Sequence, residues 1–297
     1  MIDLHETQAK LRQHLKILTG DIGERSVRIP GNLAKTADYI RDFYRGLGIE
    51  ARLEPYSYHG FEVSNVVAEI SLGRNPAKRI LIGAHYDSVA GTVGADDNAS
   101  AVAVQLETAR RLTMLNEPTG LDLVVVLVSF ALEEPPVYGT RFMGSRVYTE
   151  QARRRNEQLD GMLCLEMVGY TCAEPGCQSF PFPLMFFGYP KEGNFIGIVG
   201  NFASRSLTRC IYTSFQKNPD LPAIQLTVPF NGWIMPAVRL SDHASFWDEG
   251  FPAVMITDSA FYRNPHYHLP SDRMDTLDDR FMAELVKSLV MYLVQHR

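Results

Sequence analysis

Positions 83 to 101 read GAHYDSVAGTVGADDNASA, one histidine and three aspartates directly after the apolar run RILI. Carboxylates gathered in so short a span repel one another unless a cation sits among them. Three more apolar runs end in the same kinds of residue. LDLVVVLVSFAL leads into Glu133 and Glu134, LDGMLCLEMVGY carries Glu166, and FPAVMITD ends at Asp258. The last continues into NPHYHLPSD, which adds His266 and His268. In an open α/β sheet, functional groups collect just past the carboxyl ends of the strands. Four strands converging on acids and imidazoles therefore predict a metal site.

Spacing separates the roles. Residues two apart on a strand share a side, so Asp87 can accept a hydrogen bond from a ring nitrogen of His85 and orient it. Adjacent residues point opposite ways, so Glu133 and Glu134 are expected to divide the work. One binds metal and the other reaches the metal-bound water as a base. Hard oxygen donors with one or two imidazoles and no thiolate suit Zn²⁺, Mn²⁺ or Co²⁺. A mononuclear site would use three or four of these groups and leave buried anions unused. Two ions sharing a bridging carboxylate would use them all.

The elements that must hold these groups are legible in outline. The four runs are nearly continuous in apolar residues, as in strands covered on both faces by helices. ARLEPYSY and SNVVAEISL precede them as two further strands, the first an edge strand because of Pro55. Apolar spacing predicts helices over 6–18 and 33–47, and then at about 98–113, 139–157, 202–217, 241–249 and 276–295. This alternation predicts an α/β fold, a three-layer α/β/α sandwich around a single mixed, mostly parallel sheet. Residues 1–297 read as one catalytic domain, with 1–32 as an N-terminal helix and connection. The stretch 171–193, rich in Pro, Gly and aromatics, reads as an excursion that could line a pocket, with part of 180–189 touching substrate.

Composition narrows the partners. A formal charge of −5 and no dense Lys/Arg face argue against nucleic acid. Arg153, Arg154 and Arg155 read as a solvated helix end. No stretch approaches the ~20 apolar residues of a membrane span. The charged, amphipathic N-terminus lacks the apolar core of a signal peptide, so the chain is expected in the cytoplasm unless a leader has been removed. Cys172 and Cys177 could close a small loop, but in that reducing compartment all four cysteines are expected as free thiols.

The ordered set HYDSV, GADDNAS, EEPPVYGT…GS, LEMVGY, SDHASF and YHLPSDRMDTLD runs from about residue 20 to the C-terminus. It resembles the co-catalytic zinc aminopeptidases, kin to glutamate carboxypeptidases and glutaminyl cyclases. The resemblance implies two divalent ions, zinc with Mn²⁺ or Co²⁺ as alternatives. His85, Asp97 and Glu166 would hold one; Asp97, Glu134 and His268 would hold the other, with Asp97 as the bridge. Glu133 would be the general base, with Asp87 beside His85 as its catalytic companion. The peptide bond after the bridging Asp is often cis in such relatives, here Asp97–Asn98. Two departures stand out. Glu166 occupies a position that usually carries Asp, and Pro135 and Pro136 follow the paired glutamates where a Gly-containing turn is usual.

The remaining polar residues are weighed against plainer roles. Asp96 and Asn98 are expected to fix the loop through local side-chain to backbone bonds. His266 shares a side with His268 if the segment is a strand, and the motif match favours His268. Tyr267 could stabilise an oxyanion or simply pack. Ser241 or Asp242 could cap a helix, and Asp242 and His243 are candidates for a supporting or substrate role. His5, His14, His59 and His296 are expected at the surface. The reading is a metal-dependent exopeptidase acting on a peptide or aminoacyl substrate. A one-zinc glutaminyl-cyclase-like acyltransferase would need only the Asp97, Glu134 and His268 set, and a non-catalytic homologue would have lost ligands or the base.

Overall fold

Strand β4, Leu123–Phe130, is buried at every residue, which is why LVVVLVSF shows no polar alternation. Its side chains divide between two apolar layers. Val125 and Leu127 join one with Leu11, Leu33, Leu106, Ile211 and Leu289. Val124, Val126 and Val128 join another with Tyr148, Phe246 and Trp247. The sheet thus has helices on both faces, in the computed structural model of residues 2–73, 76–115, 121–181 and 188–295.

The other strands are β1 Ala51–Tyr58, β2 Phe61–Ser71, β3 Lys78–His85, β5 Gly161–Glu166, β6 Ile196–Asn201, β7 Ala223–Val228 and β8 Ala253–Thr257. They form one eight-stranded sheet in the order β1-β2-β4-β3-β5-β8-β6-β7. The centre, β4-β3-β5-β8, is parallel, as is the β6/β7 pair. The β1/β2, β2/β4 and β6/β8 pairs are antiparallel. The first layer contains α1 Leu4–Leu15, α2 Pro30–Gly46, α3 Ala101–Thr113, α5 Arg205–Phe215 and α7 Asp279–Val294; the second contains α4 Gly144–Arg154 and α6 His243–Asp248. The expected three-layer α/β/α sandwich is the observed fold.

Two strands were not anticipated. IGIVGN of β6 carries two glycines, and AIQLTV of β7 is a half-exposed edge, so neither has the long apolar signature of the central runs. The helix expected at 139–157 starts only at Gly144, whose N–H donates to Ala131 O at 2.7 Å. Residues 131–143 instead form turns, with Gly139 at φ +72°. Arg154 and Arg155 end this helix exposed, paired to Glu150 and Glu157.

Three expectations need correction. Cys172 and Cys177 form a disulfide, because the turn between them brings their Cα atoms to 6.4 Å, within the span such a bond requires. Cys164 and Cys210 are free. His14 is buried rather than at the surface, with Nδ1 2.6 Å from the Tyr39 hydroxyl. Its position on the inner stripe of α1, three residues from Leu11, accounts for this. Asp96 and Asn98 bond across the fold rather than locally. Asp96 accepts from Gly169 N and Asn264 Nδ2. Asn98 donates to Leu165 O and accepts from Met167 N, which ties the loop to the end of β5. His5 and His59 are exposed as expected, and His296 lies outside the described residues. Residues 182–187, within the stretch expected to touch substrate, also lie outside them. Among the described residues, no helix is long and apolar enough to cross a membrane.

Candidate metal centre

β3 ends on His85, and its ring is completely buried. The chain then loops from Tyr86 to Gly94 and winds tightly through Ala95–Ser100 before α3 begins. That winding returns Asp97 to His85: Nε2 of His85 lies 3.4 Å from Asp97 Oδ1 and 3.4 Å from Glu166 Oε2, at the end of β5. The other oxygen of Asp97 faces His268, whose Nε2 is 3.2 Å from Asp97 Oδ2 and 3.2 Å from Glu134 Oε2. Two clusters of three donors result, His85–Asp97–Glu166 and Asp97–Glu134–His268, each with ligand atoms within 4.8 Å of one another. Asp97 is common to both. The Asp97–Asn98 peptide is cis.

Supporting bonds come from farther along the chain. Asp87 lies 3.3 Å from His85 Nδ1, an electrostatic contact without the expected hydrogen bond. Its two oxygens accept the backbone N–H groups of Glu133 and Glu134, both at 3.0 Å. These glutamates lie beyond the end of β4, in a turn entered through Leu132 at φ +57°. Glu134 joins Asp97 and His268, whereas Glu133 Oε2 approaches His85 Nε2 to 3.9 Å. The two side chains diverge as expected, though a turn rather than strand pleating separates them. The strand premise also fails for His266 and His268. Their segment is a string of turns; His268 has φ +58° and enters the cluster, while His266 Nδ1 meets Ser271 Oγ at 3.0 Å.

The outer candidates separate in the same way. Tyr267 stacks on the His268 ring, with centroids 3.7 Å apart. Asp242 is buried and makes no capping bond to α6. Burial, with Glu166 and Asp87 adding repulsion, pushes its carboxyl up to about 7. His243 is turned away, its Nε2 2.7 Å from Val238 O and its ring edge-on to Trp247. Asp258 accepts from Tyr170 N and Ala260 N and belongs to neither cluster.

Sequence reasoning missed two supports. Asp272 accepts the N–H groups of Asp96 and Asp97, at 2.8 and 3.1 Å. Ser241 donates to Glu166 Oε2 at 2.6 Å. Both stand inside quoted motifs, YHLPSD and SDHASF, so the signal was present without an assigned partner.

Electrostatics and geometry point to cations at this place. Burial opposes charge on His85, yet Glu166 and Glu133 push its pKa well up. Burial likewise opposes charge on His268, but Asp97 and Glu134 raise it to about 10. Burial and then Asp97 push Glu134 up to about 8; burial, then the neighbouring Glu166 and Glu134, raise Glu133 against the pull of His85. Protons are thus held where a metal ion would neutralise the same acids. His85 Nε2, His268 Nε2 and Glu134 Oε1 are buried without a hydrogen-bond partner. Two donors about 2.0–2.1 Å from one tetrahedral zinc lie about 3.3–3.4 Å apart. The observed 3.2–3.4 Å separations match that spacing. The residues fit divalent ions.

Buried oxygen and imidazole donors at the carboxyl ends of a mixed α/β sheet make a candidate site for divalent metal ions. The model of peptidase family M28 matches residues 65–293, and the chain belongs to that family. It is 36% identical to the uncharacterized protein YfbL of Escherichia coli (strain K12) over 97% of this chain and 88% of that protein. It is 26% identical to leucine aminopeptidase 1 of Trichophyton rubrum over 80% of this chain, and the match spans 59% of that enzyme's length. Among solved structures, the LapA aminopeptidase of Legionella pneumophila superposes with a TM-score of 0.74 at 19% identity, covering 98% of this chain and 72% of that one. The glutaminyl cyclase of Porphyromonas gingivalis superposes at 0.69 with 17% identity, over 99% of both chains. Identities this low speak to the fold alone.

Proposed function

We propose that the chain is a metal-dependent aminopeptidase, removing the N-terminal residue of a peptide or of an aminoacyl conjugate. The observation that carries this reading is the pair of donor clusters sharing Asp97, with Glu133 beside them. His85, Asp97 and Glu166 would hold one divalent ion and Asp97, Glu134 and His268 a second, with zinc favoured by the donor set. When bound, such a pair supplies Lewis-acid polarisation of the scissile carbonyl and acidifies water.

The protein's own groups do the rest. Glu133 accepts the proton of the attacking water at its carboxylate and returns it to the leaving amine nitrogen, so one water is consumed for each bond cleaved. Asp87 fixes the backbone that carries Glu133 and sets its charge 3.3 Å from His85 Nδ1. A cavity beside Glu166 and Tyr267 receives the N-terminal side chain. Its walls include Val199, Leu226, Met255 and Phe261. An aliphatic or aromatic residue suits these walls.

The test is Glu133→Gln in the metal-loaded chain, assayed on aminoacyl-p-nitroanilides with Zn²⁺, Mn²⁺ and Co²⁺. Turnover is expected to fall by at least about 10²–10⁴, the usual contribution of a positioned base, with bound metal unchanged. Near-normal hydrolysis by the variant would remove Glu133 from its role. Release of ammonia from N-terminal glutaminyl peptides, with one zinc per chain, would favour a cyclase instead. No turnover of any substrate by the wild type would favour a non-catalytic homologue.

A further inference from the structure

Arg25 lies ahead of the residues matched to the family, in the connection between α1 and α2. Its side chain is completely buried. Five hydrogen bonds leave the guanidinium, and every acceptor is a backbone carbonyl. Nε donates to Tyr86 O at 2.7 Å. Nη1 donates to Val93 O at 2.6 Å, and also to Leu18 O and Gly23 O. Nη2 donates to Gly94 O at 2.9 Å. One planar fork therefore grips both ends of the loop Tyr86–Gly94, the loop that carries Asp87 and separates His85 from Asp97.

The backbone of Arg25 completes the tie. Its N–H donates to Ser88 Oγ at 3.0 Å, and its carbonyl accepts from Ser88 N at 3.3 Å. Ser88 Oγ in turn donates to Thr92 O. At the far end, Gly94 is left-handed at φ +52°, and a Cβ there would meet Asp97 O at 2.1 Å. The loop must close tightly there, and no helix or strand within it enforces the closure.

We infer that Arg25 is a positioning residue of the metal centre: by holding Tyr86 against Val93 and Gly94, it fixes the distance between His85 and the shared Asp97. Lysine cannot replace it, since an ammonium is a point donor and cannot span carbonyls at both loop ends. Nor is its contribution charge alone. Burial lowers its pKa to about 10, against the pull of Asp87, Asp272, Asp97 and Glu134, so the guanidinium stays charged at neutral pH. The inference rests on the metallopeptidase reading above.

The test titrates the purified full chain with Zn²⁺ against a chelator of known affinity, for wild type, Arg25→Lys and Arg25→Met. Thermal midpoints, kcat and KM are measured alongside. Leu33→Ala, which opens a cavity in the same N-terminal layer, reports the effect of lost stability alone. Leu33→Ala is expected to lower the midpoint and leave Zn²⁺ affinity unchanged. Both Arg25 variants are expected to bind Zn²⁺ about tenfold or more weakly, the usual cost of disturbing the groups that orient ligands, and to lose kcat more than KM. Wild-type affinity in Arg25→Lys would overturn the inference, since charge would then suffice. If neither Arg25 variant folds, Ser88→Ala carries the test: weakened Zn²⁺ binding supports the tie, and unchanged binding overturns it. A wild-type chain that takes up no divalent ion overturns the metallopeptidase reading itself, an outcome distinct from variants that bind as the wild type does.

Discussion

Asp87 accepts the backbone N–H of Glu133 at 3.0 Å, although the two residues are 46 positions apart. The bond couples the end of β3 to the turn after β4, so the proposed base is seated by a residue that need not touch substrate. Asp87→Asn keeps the volume but loses one acceptor and the charge facing His85 Nδ1. We expect Zn²⁺ affinity to fall by about 10–100-fold and stability by about 1–3 kcal/mol, the cost of a buried donor left unpaired. Chelator competition and denaturant unfolding measure the two. A variant with unchanged metal affinity would show that Asp87 merely packs.

Glu166 is one methylene longer than the Asp that the family resemblance implies at its position, and Ser241 donates to its Oε2 at 2.6 Å. The longer side chain and the hydroxyl act together, since the same oxygen lies 3.4 Å from His85 Nε2. On the two-ion reading, Glu166→Asp is therefore expected to lower bound zinc from two ions per chain toward one. The Asp97, Glu134 and His268 cluster keeps all its donors in this variant. Elemental analysis after gel filtration reads the count. Two tightly held ions in the variant would mean that the backbone yields to the shorter ligand.

The sheet and the two donor clusters were legible because the central strands are buried on both faces and end abruptly in acids and imidazoles. His85 and Glu166 could be placed from strand ends alone. Readings that rested on strand pleating had the wrong premise, since Glu133, Glu134 and His268 all sit in turns; the two glutamates diverge even so, whereas His266 and His268 part company. β6 and β7 were missed because glycine and edge exposure erase their pattern. Arg25 left no signal at all. Its partners are backbone carbonyls, and a carbonyl has no letter in a sequence. The Cys172–Cys177 bond differs: its spacing allowed a small loop, and only the expected reducing compartment argued against it.

The cavity beside Glu166 suggests a change of specificity. Gly197 lies on β6 two residues before Val199, so a side chain there would point the same way, into the cavity. A Cβ at Gly197 would meet only Thr257, at ordinary contact distances of 3.4 and 3.7 Å. Gly197→Val should fold and narrow the cavity. We expect kcat/KM for leucyl-p-nitroanilide to fall by about 10-fold or more relative to the alanyl substrate, from the ~1–3 kcal/mol at stake for each methylene in an apolar pocket. An unchanged leucyl-to-alanyl ratio would place the substrate side chain elsewhere.

His14 predicts how stability responds to acid. Burial, with Lys10 and Arg110 adding repulsion, lowers its pKa from 6.5 to about 3. The neutral ring faces the Tyr39 hydroxyl at 2.6 Å. Because the unfolded chain binds this proton more readily, the contribution of His14 is complete above pH 6.5 and is lost as pH falls toward 3. Across that window the loss is about 1.4 kcal/mol per pH unit. His14→Gln can still accept from Tyr39 but does not titrate. Urea unfolding of wild type and variant at several pH values should show the variant losing stability less steeply below pH 6.5, with the two curves parallel above it. Parallel curves throughout would mean that His14 becomes protonated in the folded state as readily as in the unfolded one.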